Sequence, residues 1–181
     1  MYQFIIIFVF INILLVLCNS QGIFDFSLED FNGNVIPLSN YKKSKLIMIV
    51  NIALNDGHTF LNFRELEELY NHHHDQGLEI LAVLSNDFGV DQKILDPPYL
   101  GNIPVFNLVH VTGPSIHPLF SYLIDHTTHL PISWNFCKFL IDSSNGKPFK
   151  RYGHIINPFK IEGEITAKIG IKKIDPYDEE L

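Results

Sequence analysis

Cysteine is scarce in this 181-residue chain: it has two, Cys18 and Cys137. Cys18 lies in an apolar N-terminal run, so the body of the chain carries one thiol. A single thiol cannot close an internal disulfide or run a two-cysteine redox cycle, so the fold must rest on its core. Basic residues are also few, with 13 Lys and Arg against 20 Asp and Glu, a formal net charge of −7. An acidic chain without a basic stripe excludes nucleic acid and anionic membrane surfaces as expected partners. No Asn-x-Ser/Thr sequon occurs, which removes N-glycosylation. Charged residues make up only 18% and hydrophobic residues 46%, a balance that permits a packed core and argues against disorder.

Phe4 to Cys18 is apolar except for Asn12 and is followed by Asn19, Ser20, Gln21 and Gly22. That run has the length of a secretory leader's core, short of the roughly 20 residues that cross a bilayer. Cys18 and Ser20 stand at −3 and −1 of a cut after Ser20, although no Lys or Arg precedes the run. We therefore expect a signal peptide at 1–20, a folded domain at 21–170 and an acidic tail at 171–181, with the mature chain secreted. An uncleaved leader would instead anchor the chain to a membrane.

Turn signals and apolar periodicity then organise the body. Asn32-Gly33-Asn34 predicts a hairpin turn between Phe24-Asp25-Phe26 and Val35 to Leu38. Lys45 to Ala53 and Leu78 to Leu84 are nearly continuous apolar runs, as in strands buried on both faces. Between them Thr59 is the expected helix cap, with Phe60, Phe63, Leu66, Leu69 and Tyr70 recurring at helical spacing. This is a βαβ unit with a parallel sheet. Asp91 to Gly113 reads as irregular and Ile116 to Ile124 as a short helix. Phe136 to Ile141 and Pro148 to Tyr152 predict two strands around a tight Ser143-Ser144-Asn145-Gly146 turn. Asn157-Pro158 starts a last helix, with Ile161 and Ile165 toward the sheet. A parallel βαβ followed by an antiparallel hairpin and a closing helix is a thioredoxin-like α/β architecture, a central mixed sheet flanked by helices. Such a fold does not by itself name a function.

Particular residues say more. Ile49-Val50-Asn51-Ile52-Ala53-Leu54-Asn55-Asp56-Gly57, Ser85-Asn86-Asp87-Phe88-Gly89 and Trp134-Asn135-Phe136-Cys137-Lys138-Phe139-Leu140 follow one another in order. Together with Arg151-Tyr152 and Pro158 to Glu162 they resemble the glutathione peroxidase family from about Phe24 to Ile165. The resemblance implies that family's type of thioredoxin-like fold. It also implies a four-residue catalytic site at Asp56, Asp87, Trp134 and Asn135, and glutathione or thioredoxin as reductant if the chain is active. At these positions the family carries a cysteine or selenocysteine, a glutamine, a tryptophan and an asparagine. Two are retained here and two are changed to aspartate; no selenocysteine is present. Ser85 stands where the family has a second cysteine, and no resolving cysteine occurs between Asp91 and Gly113.

Peroxide reduction needs a soft nucleophile that attacks the O–O bond, becomes a sulfenic acid and is reduced back. Asp56 has no oxidisable atom, and an ionised Asp87 accepts hydrogen bonds where glutamine would donate them. The expectation is a peroxidase homologue without peroxidase activity that acts as an interaction or binding protein for an unassigned protein or small molecule. Two alternatives stay open. One is an active peroxidase using a non-standard residue, for which Cys137 is the available thiol, although a buried, inert thiol is the simpler reading. The other is a metal- or anion-responsive module, in which Asp56 and Asp87 form a carboxylate pair. Water screening the two separately is the simpler expectation there. His72-His73-His74 is read as exposed residues of a last helical turn, not as a metal site, because consecutive helical side chains diverge.

Overall fold

Two strands with apolar residues at every position build the centre of the molecule. In the computed structural model, which describes residues 22–89 and 98–171, the strand Leu46–Ile52 is buried throughout, as is Leu78–Leu84. The expected leader and the tail beyond residue 171 lie outside the described residues, as does part of the segment read as irregular. Among the described residues no helix is long and apolar enough to cross a membrane.

In chain order the strands are β1 (Ser27–Glu29), β2 (Val35–Pro37), β3 (Leu46–Ile52), β4 (Leu78–Leu84), β5 (Val105–Phe106), β6 (Lys138–Asp142) and β7 (Lys147–Tyr152). The α-helices are α1 (Thr59–His73), α2 (Pro118–Asp125) and α3 (Glu162–Ile169). β1 and β2 form a small antiparallel hairpin. The main sheet runs β5-β4-β3-β6-β7, with β3, β4 and β5 parallel and β6 and β7 antiparallel to their neighbours. This is the expected mixed sheet with flanking helices.

Side-chain alternation splits the interior into two layers. Ile47, Ile49, Leu81, Val83, Phe139 and Ile141 face Leu119, Phe120 and Leu123 of α2. Met48, Val50, Ile80, Ala82 and Leu140 face Leu66 and Leu69 of α1 and Ile165 and Ile169 of α3. A sheet covered on both faces needs no disulfide, and the free Cys137 is buried in the core beside it.

Several local expectations are corrected. Phe24 and Asp25 belong to a 3-10 turn at Ile23–Asp25, and the first hairpin strand starts at Ser27. Thr59 is the first residue of α1 and does not cap it; its hydroxyl turns back to donate to the Ala53 carbonyl at 2.9 Å. Phe60 is 79% exposed although it shares the helical spacing of the buried residues. Phe136 and Cys137 precede β6 and do not open it, and Phe136 adopts a left-handed backbone conformation, φ 62°. His73 is buried, with Nε2 2.8 Å from Glu162 Oε1, whereas His72 and His74 are exposed as expected.

Candidate functional site

Topology brings the motif residues to one edge of the sheet. Parallel β3 and β4 end together at Ile52 and Leu84, so the loops carrying Asp56 and Asp87 leave from the same side. β6 enters antiparallel, with Lys138 opposite Val50, which puts Trp134 and Asn135 at that edge too. Open α/β sheets present ligand sites at this carboxyl end of their parallel strands.

Asp56 sits in a turn that fixes its carboxylate. Its N–H donates to Thr59 Oγ1 (3.1 Å), and the Thr59 N–H donates to its carbonyl (3.0 Å). One carboxylate oxygen accepts from the His58 N–H at 2.8 Å and the other from Asn135 Nδ2 at 3.1 Å. The Trp134 side chain also favours the ionised form. Desolvation, the largest influence, opposes ionisation. The donors from His58, Asn135 and Trp134 together outweigh it, so the carboxyl titrates below its ordinary value.

The loop that supplies Trp134 and Asn135 is held in an uncommon shape. A bulky residue at positive φ costs on the order of 1–2 kcal/mol. Asn51, fully buried in β3, offsets that cost. Its Oδ1 accepts from the Cys137 N–H at 2.9 Å, its Nδ2 donates to the Trp134 carbonyl at 3.3 Å, and its backbone carbonyl accepts from the Phe136 N–H at 2.7 Å. Lys138, also fully buried, donates to the Phe136 carbonyl at 2.7 Å, and burial lowers its pKa to about 8. The result turns Asn135 inward, 1% exposed, and leaves Trp134 40% exposed.

Asp87 has a different fate. Its side chain is 8% exposed. It accepts from His110 Nδ1 (2.7 Å), the Val111 N–H (2.6 Å) and the Thr112 N–H (3.0 Å). No hydrogen bond joins it to Asp56, Trp134 or Asn135 among the described residues. Asp56 and Asp87 therefore share an edge but have no hydrogen-bond partner in common. The neighbouring Phe88 does reach the site, its ring 5.9 Å from that of Trp134. Among the described residues no group of three or more His, Cys, Asp or Glu could hold a metal ion.

Two partners at this edge were not singled out from the sequence. His154 packs against both His58 and Trp134, with ring centroids 6.0 and 6.4 Å apart. Nothing in its local sequence marks it. Asn51 did carry a signal, being the one amide within an otherwise apolar strand. Cys137 is 2% exposed. Burial pushes its thiol pKa up, and the opposing pull of Arg151, whose Nε lies 3.1 Å from the sulfur, does not overcome that. A thiol so placed is a poor nucleophile. A cleft of about 590 Å³ lined by Tyr41, Lys45, His74 and Glu79 lies at the other end of β3 and β4, away from Asp56.

Residues 23–124 match the family model described as glutathione peroxidase. The chain belongs to the glutathione peroxidase family. It is 36% identical to probable glutathione peroxidase 8 of Arabidopsis thaliana over 162 residues, covering 83% of this chain and 96% of that protein. It is 35% identical to a probable phospholipid hydroperoxide glutathione peroxidase of Nicotiana sylvestris over 162 residues, covering 83% and 95%. The crystal structure of Trgpx in apo form superposes with a TM-score of 0.70 at 30% identity, over 83% of this chain and 96% of that one. T. cruzi GPX1 gives 0.69 at 25% identity, over 83% and 97%. The glutathione peroxidase fold, itself thioredoxin-like, is thus the fold of this chain.

Proposed function

We propose that this member of the glutathione peroxidase family is secreted, lacks peroxidase activity and acts as a binding protein through the edge that carries Asp56. The observation that supports this most is the carboxylate itself. It stands at the position the resemblance assigns to the peroxidatic thiol, held by the Asn135 amide and the Trp134 side chain. A carboxylate so held is an anion without redox chemistry, so the surrounding hydrogen bonds fix a charge and activate no nucleophile. Asp87 supports the same reading, because its carboxylate is taken up by the 110–112 backbone and offers no donor to a peroxide. Export rests on the apolar run Phe4 to Cys18 and the small residues that follow it.

The test is turnover of hydrogen peroxide and of a phospholipid hydroperoxide by the chain from residue 21 onward, with glutathione and with thioredoxin as reductants. The expected result is no turnover above the rate without protein, and a measurable rate would overturn the reading. A Cys137→Ser variant assayed alongside decides whether any such rate belongs to the one thiol of the folded body.

A further inference from the structure

We propose that the Asp56 edge binds a cationic side chain, a lysine or arginine on a basic segment of a partner protein. This rests on the inactive-scaffold reading above and names the chemistry of its partner.

Three observations converge. The first is a carboxylate without a Lys or Arg partner: among the described residues neither forms an ion pair with Asp56, whereas Asp142 pairs with Lys168. The second is rigidity, since both carboxylate oxygens are already hydrogen-bonded and little side-chain freedom is lost when a guest arrives. The third is a continuous row of rings beside the charge. His58, His154, Trp134 and Phe88 follow one another with centroids 6.0, 6.4 and 5.9 Å apart. Trp134 is the best of the aromatic side chains for a cation–π contact and stands 40% exposed.

A fixed carboxylate beside a half-open indole favours a guest that is cationic, rich in N–H and free of lone pairs. Ammonium and guanidinium groups are such guests. The footprint exceeds one amine, because Phe60 and Ile155, 79% and 78% exposed, flank the His58–His154 contact in sequence. Apolar neighbours of a basic residue on a peptide would cover them.

Trp134 is the only tryptophan, so its emission reports on the site directly. The chain from residue 21 onward would be titrated with the peptide acetyl-Ala-Leu-Lys-Leu-Ala-amide and with versions carrying arginine, norleucine or glutamate at the centre. A last arm uses butylammonium alone. We expect a saturable change with lysine and arginine, about tenfold tighter than norleucine, and no saturation with glutamate. Butylammonium should bind more weakly than the lysine peptide. Asp56→Asn should reduce the lysine-over-norleucine preference to about threefold or less, with an unchanged circular dichroism spectrum. Norleucine or glutamate binding as well as lysine would overturn the proposal, as would an undiminished preference in Asp56→Asn. Butylammonium binding as tightly as the peptide would overturn its peptide half. A chain that turns over no peroxide yet fails these discriminations removes this proposal alone, whereas peroxide turnover removes the inactive-scaffold reading whatever the peptides do.

Discussion

Asp56 and Asp87 leave the same edge of the same sheet and meet opposite fates. Asp87 points its carboxylate at a neighbouring loop and gathers two backbone N–H groups and a histidine, with 8% of its side chain exposed. Asp56 is half-buried, held by the His58 amide and the Asn135 side chain, and stands beside a half-open indole. One carboxylate has become part of the framework and the other is displayed. Two aspartates on one edge therefore need separate explanations: Asp87 supplies local structure, and Asp56 supplies a fixed surface charge.

That contrast can be broken most readily at Asp87. Asp87→Ala leaves two backbone N–H groups of the 110–112 loop without their acceptor, and we expect a loss of about 3 kcal/mol in urea unfolding. A loss below about 1 kcal/mol would place Asp87 on the same footing as Asp56. The next largest effect should come from Asn51, which supports the loop beneath the displayed site. Asn51→Leu removes its two side-chain hydrogen bonds, at a cost of about 2 kcal/mol, and should shift Trp134 emission to the red as the loop loosens.

A third aspartate sharpens the comparison. Asp142 is half-buried like Asp56 but has a lysine partner, Lys168 Nζ at 2.6 Å, and also accepts from Ser144. The Lys168 contact, with help from Ser144, lowers its pKa to about 2. A depressed carboxyl pKa contributes stability that is present above the unfolded value and lost as pH falls toward the folded one. Asp142→Asn should therefore cost about 1 kcal/mol at neutral pH after solvent screening, and the difference should vanish as the pH approaches 2. Asp56→Asn should be the smallest effect, within about 0.5 kcal/mol, because the amide keeps the shape and no cation loses its partner. A cost as large as that of Asp87→Ala would show that Asp56 is structural too.

Much of this was legible residue by residue. β4 falls where its apolar run predicts, and β3 loses only the flanking Lys45 and Ala53, because strands buried on both faces carry the strongest local signal. Phe24-Asp25-Phe26 predicts the first hairpin strand, but the chain forms a 3-10 turn at Ile23–Asp25 and the strand starts three residues later, at Ser27. The spacing of Phe60 matches the buried residues of α1, yet it sits in the first turn of that helix and is exposed. The His72-His73-His74 run predicts exposed side chains, yet His73 is buried, with its ring against Glu162 of α3.

The sequence by itself determined the family, the fold class and the absence of a thiol at position 56. These follow from residue types and their order: a carboxylate cannot take the place of a thiolate in peroxide reduction wherever it points. Tertiary structure alone decided that Asp56 and Asp87 act apart. That outcome depends on which loop supplies free N–H groups within reach, and the 110–112 backbone, more than twenty residues away in the chain, reaches Asp87. It also decided that Trp134, His58 and His154 line up beside one charge. Such a row exists only because parallel β3 and antiparallel β6 bring their loops to one edge, a register that no local pattern records.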